Sequence, residues 1–396
     1  MNKALKPGWR QVKFGDVVRL SKARSKDPLA EGIERYVGLE HLEPGDLRVR
    51  SWGNVADGVT FTSVFKPGQV LIGKRRAYQR KVAVADFSGV CSGDIYVLET
   101  KDSKVLVPEL LPFICQTDAF FDHAVGTSAG SLSPRTNWAS LADFEFHLPP
   151  IPEQTTIASL LLQTIECSER LREAKAATNT LFERLTLDLL APRREHYHDN
   201  DPLKVFPADW SISTMEQLCR SDAPICYGIV QVGDYDQTGV PTVQIKDLSG
   251  DFSGPLHRTS KGIESAYVRS RVEPGDVLIS VKAIIGEVAC VPASFTGNIS
   301  RDLARLRPGP GVNSGFLVLL LRSAPYRRYI RKYVVGSTRD ELSIGALKKL
   351  CVPHPSLEQQ KAIVAVLQAT SAAAVQLERR RERARQLASV FLREAV

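Results

Sequence analysis

The sequence predicts an α+β chain built twice: two similar mixed α/β globular domains, each followed by one long helix. Three observations predict it. Four motifs occur twice in the same order, displaced by about 201–210 residues. Each copy opens with a stretch rich in Gly, Pro and β-branched residues. Each copy closes with a stretch free of both Gly and Pro, from Glu153 to Leu190 and from Leu357 to Val396.

The repeated motifs are specific in their order. Trp9 opens WRQVKFGDVVRL and Trp210 opens WSISTMEQLCR. KPGQVLI (66–72) matches EPGDVLI (273–279), VGTSAGSLS (125–133) matches VGSTRDELS (335–343), and LPPIPEQ (148–154) matches VPHPSLEQ (352–359). A repeat this long is a duplicated domain and not a solenoid unit. The reading divides the chain into a first domain (1–150), a first long helix (151–191), a linker (192–209), a second domain (210–352) and a second long helix (353–396).

Within each domain, short apolar runs such as Gly68–Ile72, Val82–Ala85, Asp94–Leu98, Val277–Val281 and Val288–Val291 read as strands between turns. Pro108–Ala124 and Ser314–Val334 read as helical. In the long helices, Ile157, Leu160, Thr164, Cys167, Leu171, Ala174, Thr178, Leu181 and Leu185 recur at alternating spacings of three and four. Ile363, Val366, Thr370, Ala373, Leu377, Arg380, Ala384, Leu387 and Phe391 do the same. Such a seam suits one close partner helix, so the two helices are expected to pack on each other. The packing residues are Ile157, Leu160, Leu171, Leu181, Leu185, Ile363, Val366, Leu377, Leu387 and Phe391. Pro152 and Pro355 sit near the helix starts, where a missing N–H costs nothing.

Composition narrows the function classes. The 396 residues are 43% hydrophobic and 24% charged, which excludes a disordered or collagen-like chain. The formal net charge of +8 permits a polyanionic partner. Seven scattered cysteines with no C-x-x-C pair fit reduced thiols, and no long apolar run is present, so a cytoplasmic protein is expected.

Catalytic signatures are missing. There is no H-E-x-x-H, G-x-S-x-G, G-x-G-x-x-G or N-P-P-[FY]. The nearest approach, GQVLIGKR (68–75), ends in Arg where a phosphate-binding loop needs a hydroxyl, and its middle reads as a strand. His196 and His198 belong to a solvated linker, so no metal is expected.

Basic clusters are present instead. Lys74, Arg75, Arg76, Tyr78, Gln79, Arg80 and Lys81 form a loop with five cations and no acid. Such side chains can neutralise phosphates and grip purine edges. In the second copy the matching loop keeps only Lys282. Its charge moves to Arg327, Arg328, Arg331 and Lys332, expected on one helix face, followed by Ser337, Thr338 and Arg339. Ser128 and Arg135 sit at the matching place in the first copy. One scaffold with different loop chemistry should read two different ligands.

The Trp9 and Trp210 openings, the PG-x-VLI segments, the Gly126 and Gly336 turns and the Pro-rich approaches to long helices resemble the specificity (S) subunit of type I restriction–modification systems. The resemblance spans essentially the whole chain. It implies two target-recognition domains, each reading half of a split double-stranded DNA target. It implies antiparallel helices forming a coiled coil that spaces the domains and docks two methyltransferase (M) subunits. Catalysis would belong to partners: S-adenosylmethionine in M, and ATP with Mg²⁺ in a restriction (R) subunit, with no cofactor in this chain and no membrane association. A stand-alone DNA methyltransferase or nuclease, and a structural adaptor that binds no DNA, are the alternatives left open.

Overall fold

A Pro–Gly pair starts the central strand of both copies. Gly68 (φ +84°) and Gly275 (φ +88°) follow Pro67 and Pro274, as a type II turn requires. The Gln69 N–H donates to the Lys66 carbonyl and the Asp276 N–H to the Glu273 carbonyl. Their side chains close the turn from the other side, accepting from the Lys66 and Glu273 N–H groups at 2.8 Å. The computed structural model describes residues 6–130, 133–336 and 340–395, with side chains to 392. It divides into two units, residues 1–172 with 378–396, and residues 173–377. This division falls inside the long helices and not at their ends.

In unit 1 the strands are β1 (Arg10–Lys13), β2 (Val18–Leu20), β3 (Arg35–Val37), β4 (Gly53–Asn54), β5 (Ser63–Phe65), β6 (Val70–Gly73), β7 (Val82–Val84), β8 (Gly89–Cys91), β9 (Ile95–Thr100) and β10 (Glu145–Leu148). They form an antiparallel β2-β9-β6-β7 sheet, a β4-β3-β8-β5 sheet with β3 parallel to β8, and a β1–β10 pair. Phe14, Phe120 and Phe144 pack edge-on or tilted in the larger core. Val37, Leu42, Phe65 and Leu71 belong to the smaller one.

Unit 2 repeats this plan with β11 (Ser211–Thr214), β12 (Cys226–Tyr227), β13 (Val240–Val243), β14 (His257–Thr259), β15 (Val277–Ser280), β16 (Val288–Cys290), β17 (Asn298–Ile299), β18 (Leu303–Leu306) and β19 (Cys351–His354). The sheets are β12-β18-β15-β16, β14-β13-β17 with β13 parallel to β17, and β11–β19. Strand for strand this is the order of unit 1, with β5 reduced to one antiparallel bridge between Val272 and Gly297. The helical stretches expected at 108–124 and 314–334 are each broken. The breaks leave Leu111–Ile114 and Asp118–Gly126 in the first, and Ser314–Arg322 and Ala324–Arg331 in the second. Thr117 and Ser323 are extended at the breaks, and the Thr117 hydroxyl caps the helix that follows.

The long helices span Ile151–Leu190 and Leu357–Ala395, 40 and 39 residues, about 60 Å each. The second begins later than residue 353 because Pro353 lies in β19, paired with Ile212. The register between the copies is set by a glutamine. Buried Gln154 donates to the Val105 and Pro149 carbonyls and accepts from the Val107 N–H. Buried Gln360 donates to Gly311 and Pro355 and accepts from the Asn313 N–H. Gln360, and not Gln359, is therefore the partner of Gln154, and Ser356 and Glu358 stand where the first copy has Pro150 and Pro152.

The helix seam is phased differently from the expectation. Leu160, Leu181, Val366 and Leu387 are 45%, 50%, 46% and 69% exposed. The buried face instead runs through Ile157, Leu161 and Ser168, and through Val364, Leu367 and Ala374. The first position of each heptad is as expected; the second lies one residue later. Leu171, Leu185, Ile363, Leu377 and Phe391 are half-buried. In unit 1, Ile157, Leu161 and Ile165 share a core with Ala388, Phe391 and Leu392. The start of one helix meets the end of the other, an antiparallel pairing. In unit 2, Leu190 from the end of the first helix and Val364 from the start of the second join one core. Among the described residues, no helix is long and apolar enough to cross a membrane.

Candidate nucleic-acid interface

The basic loop of unit 1 joins β6 to β7 and is built by a tight backbone path. Arg76 and Arg80 both take φ +54°, a conformation non-glycine residues adopt at a cost. The strained turn is held by its neighbours. Lys74 N–H donates to the Asp94 carbonyl, Arg76 N–H to Pro134, and Thr136 N–H to Lys74. Single bridges join Arg75 to Arg135 and Arg135 to Ala129. The loop after the Asp118–Gly126 helix is thereby laid beside the basic loop.

The run without acids is not without counter-charges. Asp94 sits 3.6 Å from Arg75 and 3.1 Å from Arg135. Asp118 lies 2.7 Å from Arg80, whose guanidinium also donates to the Gln116 carbonyl and covers Phe121. Lys81 donates to the Leu39 carbonyl and Lys74 stands over Tyr96. Ser128 donates to Ala124 and closes its own helix. The fold brings these acids in from distant strands and helices, which local composition could not show. Arg76 and Tyr78 point away from all of this, and Tyr78 is 55% exposed. Gln79 is half-buried beside Tyr78 and Arg80 on the wall of one cavity.

Unit 2 builds the same tip from other residues. Val281 N–H donates to Asp302, Leu342 N–H donates to Val281, and bridges join Lys282 to Glu341 and Glu341 to Val335. Ala283 takes the left-handed turn (φ +60°) in place of Arg76. Lys282 pairs with Glu341 at 3.2 Å and lies over the Tyr227 ring, whose hydroxyl donates to the same carboxylate.

The cations expected on one face of the Ala324–Arg331 helix diverge. Arg327 reaches Glu287 at 3.1 Å. Arg328 stacks on Tyr197, and Lys332 donates to the Asn200 carbonyl, so both fasten the linker. The buried side of this helix is Tyr326, Tyr329 and Ile330. Burial, with the Tyr333 hydroxyl next, pushes the Tyr329 phenol up. Arg331 alone of the four is exposed with its guanidinium bound to no other group among the described residues. Ser337, Thr338 and Arg339 lie outside the described residues.

Sequence reading also missed two features. One is Arg35, stacked over Trp52 and Phe87 at 4.4 and 5.0 Å, with Trp52 44% exposed. The other ties the helix to unit 1. Arg50 makes a bidentate contact with Glu169 and a second one with Asp46, while Arg172 and Arg48 reach Glu169 and Glu166. Hydrogen bonds from Arg50, more than from Arg172, hold the Glu169 carboxyl down at about 2 against its burial. The acid and base lie more than a hundred residues apart, so no local pattern signals them.

A family profile described as type I restriction modification DNA specificity domain matches residues 7–177 and again 207–384. The chain is 27% identical over 270 residues to the type I restriction enzyme EcoBI specificity subunit of Escherichia coli, covering 62% of this chain and 57% of that protein. It is 19% identical over 387 residues to the MjaVIII specificity subunit of Methanocaldococcus jannaschii, covering 90% and 84%. Matches to the EcoDI and MjaIX specificity subunits cover 40% and 38% of those proteins, so the chain spans about half the length of several curated relatives. In fold it resembles the S subunit from M. genitalium (TM-score 0.60, 12% identity, 99% and 98% covered). It also resembles a chain from a study of type I R-M complex assembly and conformational transition (TM-score 0.64, 21% identity, 99% and 98% covered). With two matched segments covering most of its length, the chain belongs to the type I restriction modification DNA specificity domain family.

Proposed function

We propose that this chain is the DNA-reading subunit of a type I restriction–modification complex and carries no catalytic centre of its own. The observation that carries this is the duplicated tip. Two domains of the family share one backbone scaffold, down to matching bridges and a matching left-handed turn, and present different side chains on it. Each domain would place its tip in a groove of one half of a bipartite duplex. Phosphate contacts from cations set position, and a few side chains read base edges.

Exposure divides the candidate residues by role. Arg76, Tyr78 and Arg331 are offered to the ligand, with Arg135 and Gln79 beside them. Arg75, Arg80, Lys81, Lys282, Arg327, Arg328 and Lys332 first position their own loops. Methylation would be performed by M subunits holding S-adenosylmethionine, and cleavage by R subunits using ATP and Mg²⁺. The long helices would set the gap between half-sites and dock the M subunits. Family membership leaves the stand-alone enzyme and the non-DNA-binding adaptor without support.

The test is methylome sequencing of a host that carries the chain with its M partners. A bipartite motif with a fixed gap is expected. Inserting four residues into both helices, about 6 Å, should lengthen the gap by about two base pairs at about 3.4 Å each. An unchanged gap would refute the spacing role, and absent modification would refute the function.

A further inference from the structure

The two tips differ at matching positions, and the differences have one chemical sense. Where unit 1 has Arg75, Arg135 and Ala129 on its bridged strands, unit 2 has Lys282, Glu341 and Val335. Lys282 is neutralised by Glu341, and Tyr227 completes the cluster. Beside this neutralised pair, two apolar side chains of the tip of unit 2 are outward: Ile284 is 62% exposed and Val335 66%. In unit 1 the corresponding outward groups are Arg76, Tyr78 and Arg135. An exposed arginine stands close in sequence to Val335 of this apolar pair. Arg331 is exposed, and its carbonyl accepts from the Val334 N–H, one residue before Val335.

We propose that the tip of unit 2 reads the 5-methyl group of thymine through Ile284 and Val335, with Arg331 holding a neighbouring phosphate. This rests on the DNA-binding reading above. Double-helical DNA is the occupant because the same tip in unit 1 presents cations, and equivalent surfaces of a duplicated scaffold face the same kind of ligand. Among base edges in the major groove, only thymine carries a methyl group, and apolar side chains are what recognise it. Branched side chains on a short bridged strand lose little freedom on contact. Pairing with Glu341 leaves Lys282 less able to grip guanine or phosphate beside Ile284 and Val335. The tip of unit 1, with Arg76, Arg135 and Tyr78, is suited to purine acceptors.

The experiment uses the full chain in complex with its M subunits and duplexes carrying its methylated motif. Each thymine of the half-site read by the second domain is replaced in turn by deoxyuridine, which lacks only the methyl. One replacement is expected to weaken binding about fourfold in the native complex, the worth of one buried methyl group. The same replacement should have no effect once Ile284→Ala or Val335→Ala has removed the contact, with unchanged melting temperature. Equal effects of deoxyuridine in native and variant complexes would overturn the thymine reading while leaving bipartite recognition intact. So would a half-site without thymine. Variants that lose the M subunits but keep the base preference would also overturn it, marking the tip as a protein-docking surface. A native complex with no bipartite motif would overturn both readings.

Discussion

Arg76 and Arg80 are four residues apart in one loop and share the same backbone conformation, yet the fold gives them opposite tasks. Arg80 is held by Asp118, the Gln116 carbonyl and the Phe121 ring, whereas the Arg76 side chain has no partner among the described residues. Arg76→Ala should therefore leave melting unchanged and weaken DNA binding by the complex at every sequence. It should also reduce the salt dependence by about one ion. Arg80→Ala should lower the melting temperature, because it removes the contacts with Asp118, the Gln116 carbonyl and the Phe121 ring. Equal melting temperatures for the two variants would contradict this division. Glu169 makes a second residue-scale prediction. Its carboxyl ionises at about 2 against an ordinary 4.5. A depressed pKa means that the charged form is favoured by folding. The stability it confers is complete above pH 4.5 and is lost as pH falls toward 2. Glu169→Gln should cost about 3 kcal/mol at neutral pH, and unfolding curves of native and variant should converge across that acid window.

At the scale of the element, the long helices show what a sequence pattern can and cannot fix. Their extent was legible, since nothing between Glu153 and Leu190 breaks a helix. Their facing was not. Leu160, Leu161 and Leu162 are consecutive, so spacings of three and of four fit the heptad equally well. Packing chose Leu161, 2% exposed, over Leu160, 45% exposed. Leu161→Ala should cost about 2–4 kcal/mol and Leu160→Ala less than about 0.5 kcal/mol, as chemical denaturation would show. The reverse order would restore the simpler seam. The register of the two helix approaches is off by one residue in the sequence because Gln359 and Gln360 are adjacent, and only their burial and hydrogen-bond partners separate them. Gln360→Ala should cost about 3 kcal/mol, since it strands the Asn313 N–H and two carbonyls away from water. Gln359→Ala, on an exposed residue whose side chain accepts only from Ser356 at the helix start, should cost less, about 1 kcal/mol.

For the whole molecule, the duplication was legible because turns carry it. Pro–Gly pairs and helix approaches are local signals that survive when intervening residues diverge. The candidate site was only half legible. The basic loop of unit 1 stands where its sequence placed it, but its acids, Asp94 and Asp118, come from other elements. In unit 2 most of the charge on the Ala324–Arg331 helix is engaged by Glu287, Tyr197 and the linker, which its sequence did not signal, and the exposed Ile284 and Val335 carried no sequence signal either. A duplicated scaffold with unlike tips also makes a claim about modularity. Changing one tip should alter one half of the recognised sequence and leave the other half and the gap untouched.

The most direct measurement is single-molecule methylome sequencing of hosts carrying the native chain or Arg76→Ala with Tyr78→Ala, each with the M partners. The account predicts a two-part motif in the native host, and in the variant a motif relaxed at one part alone. A motif that changes in both parts at once, or that was never divided, would contradict it.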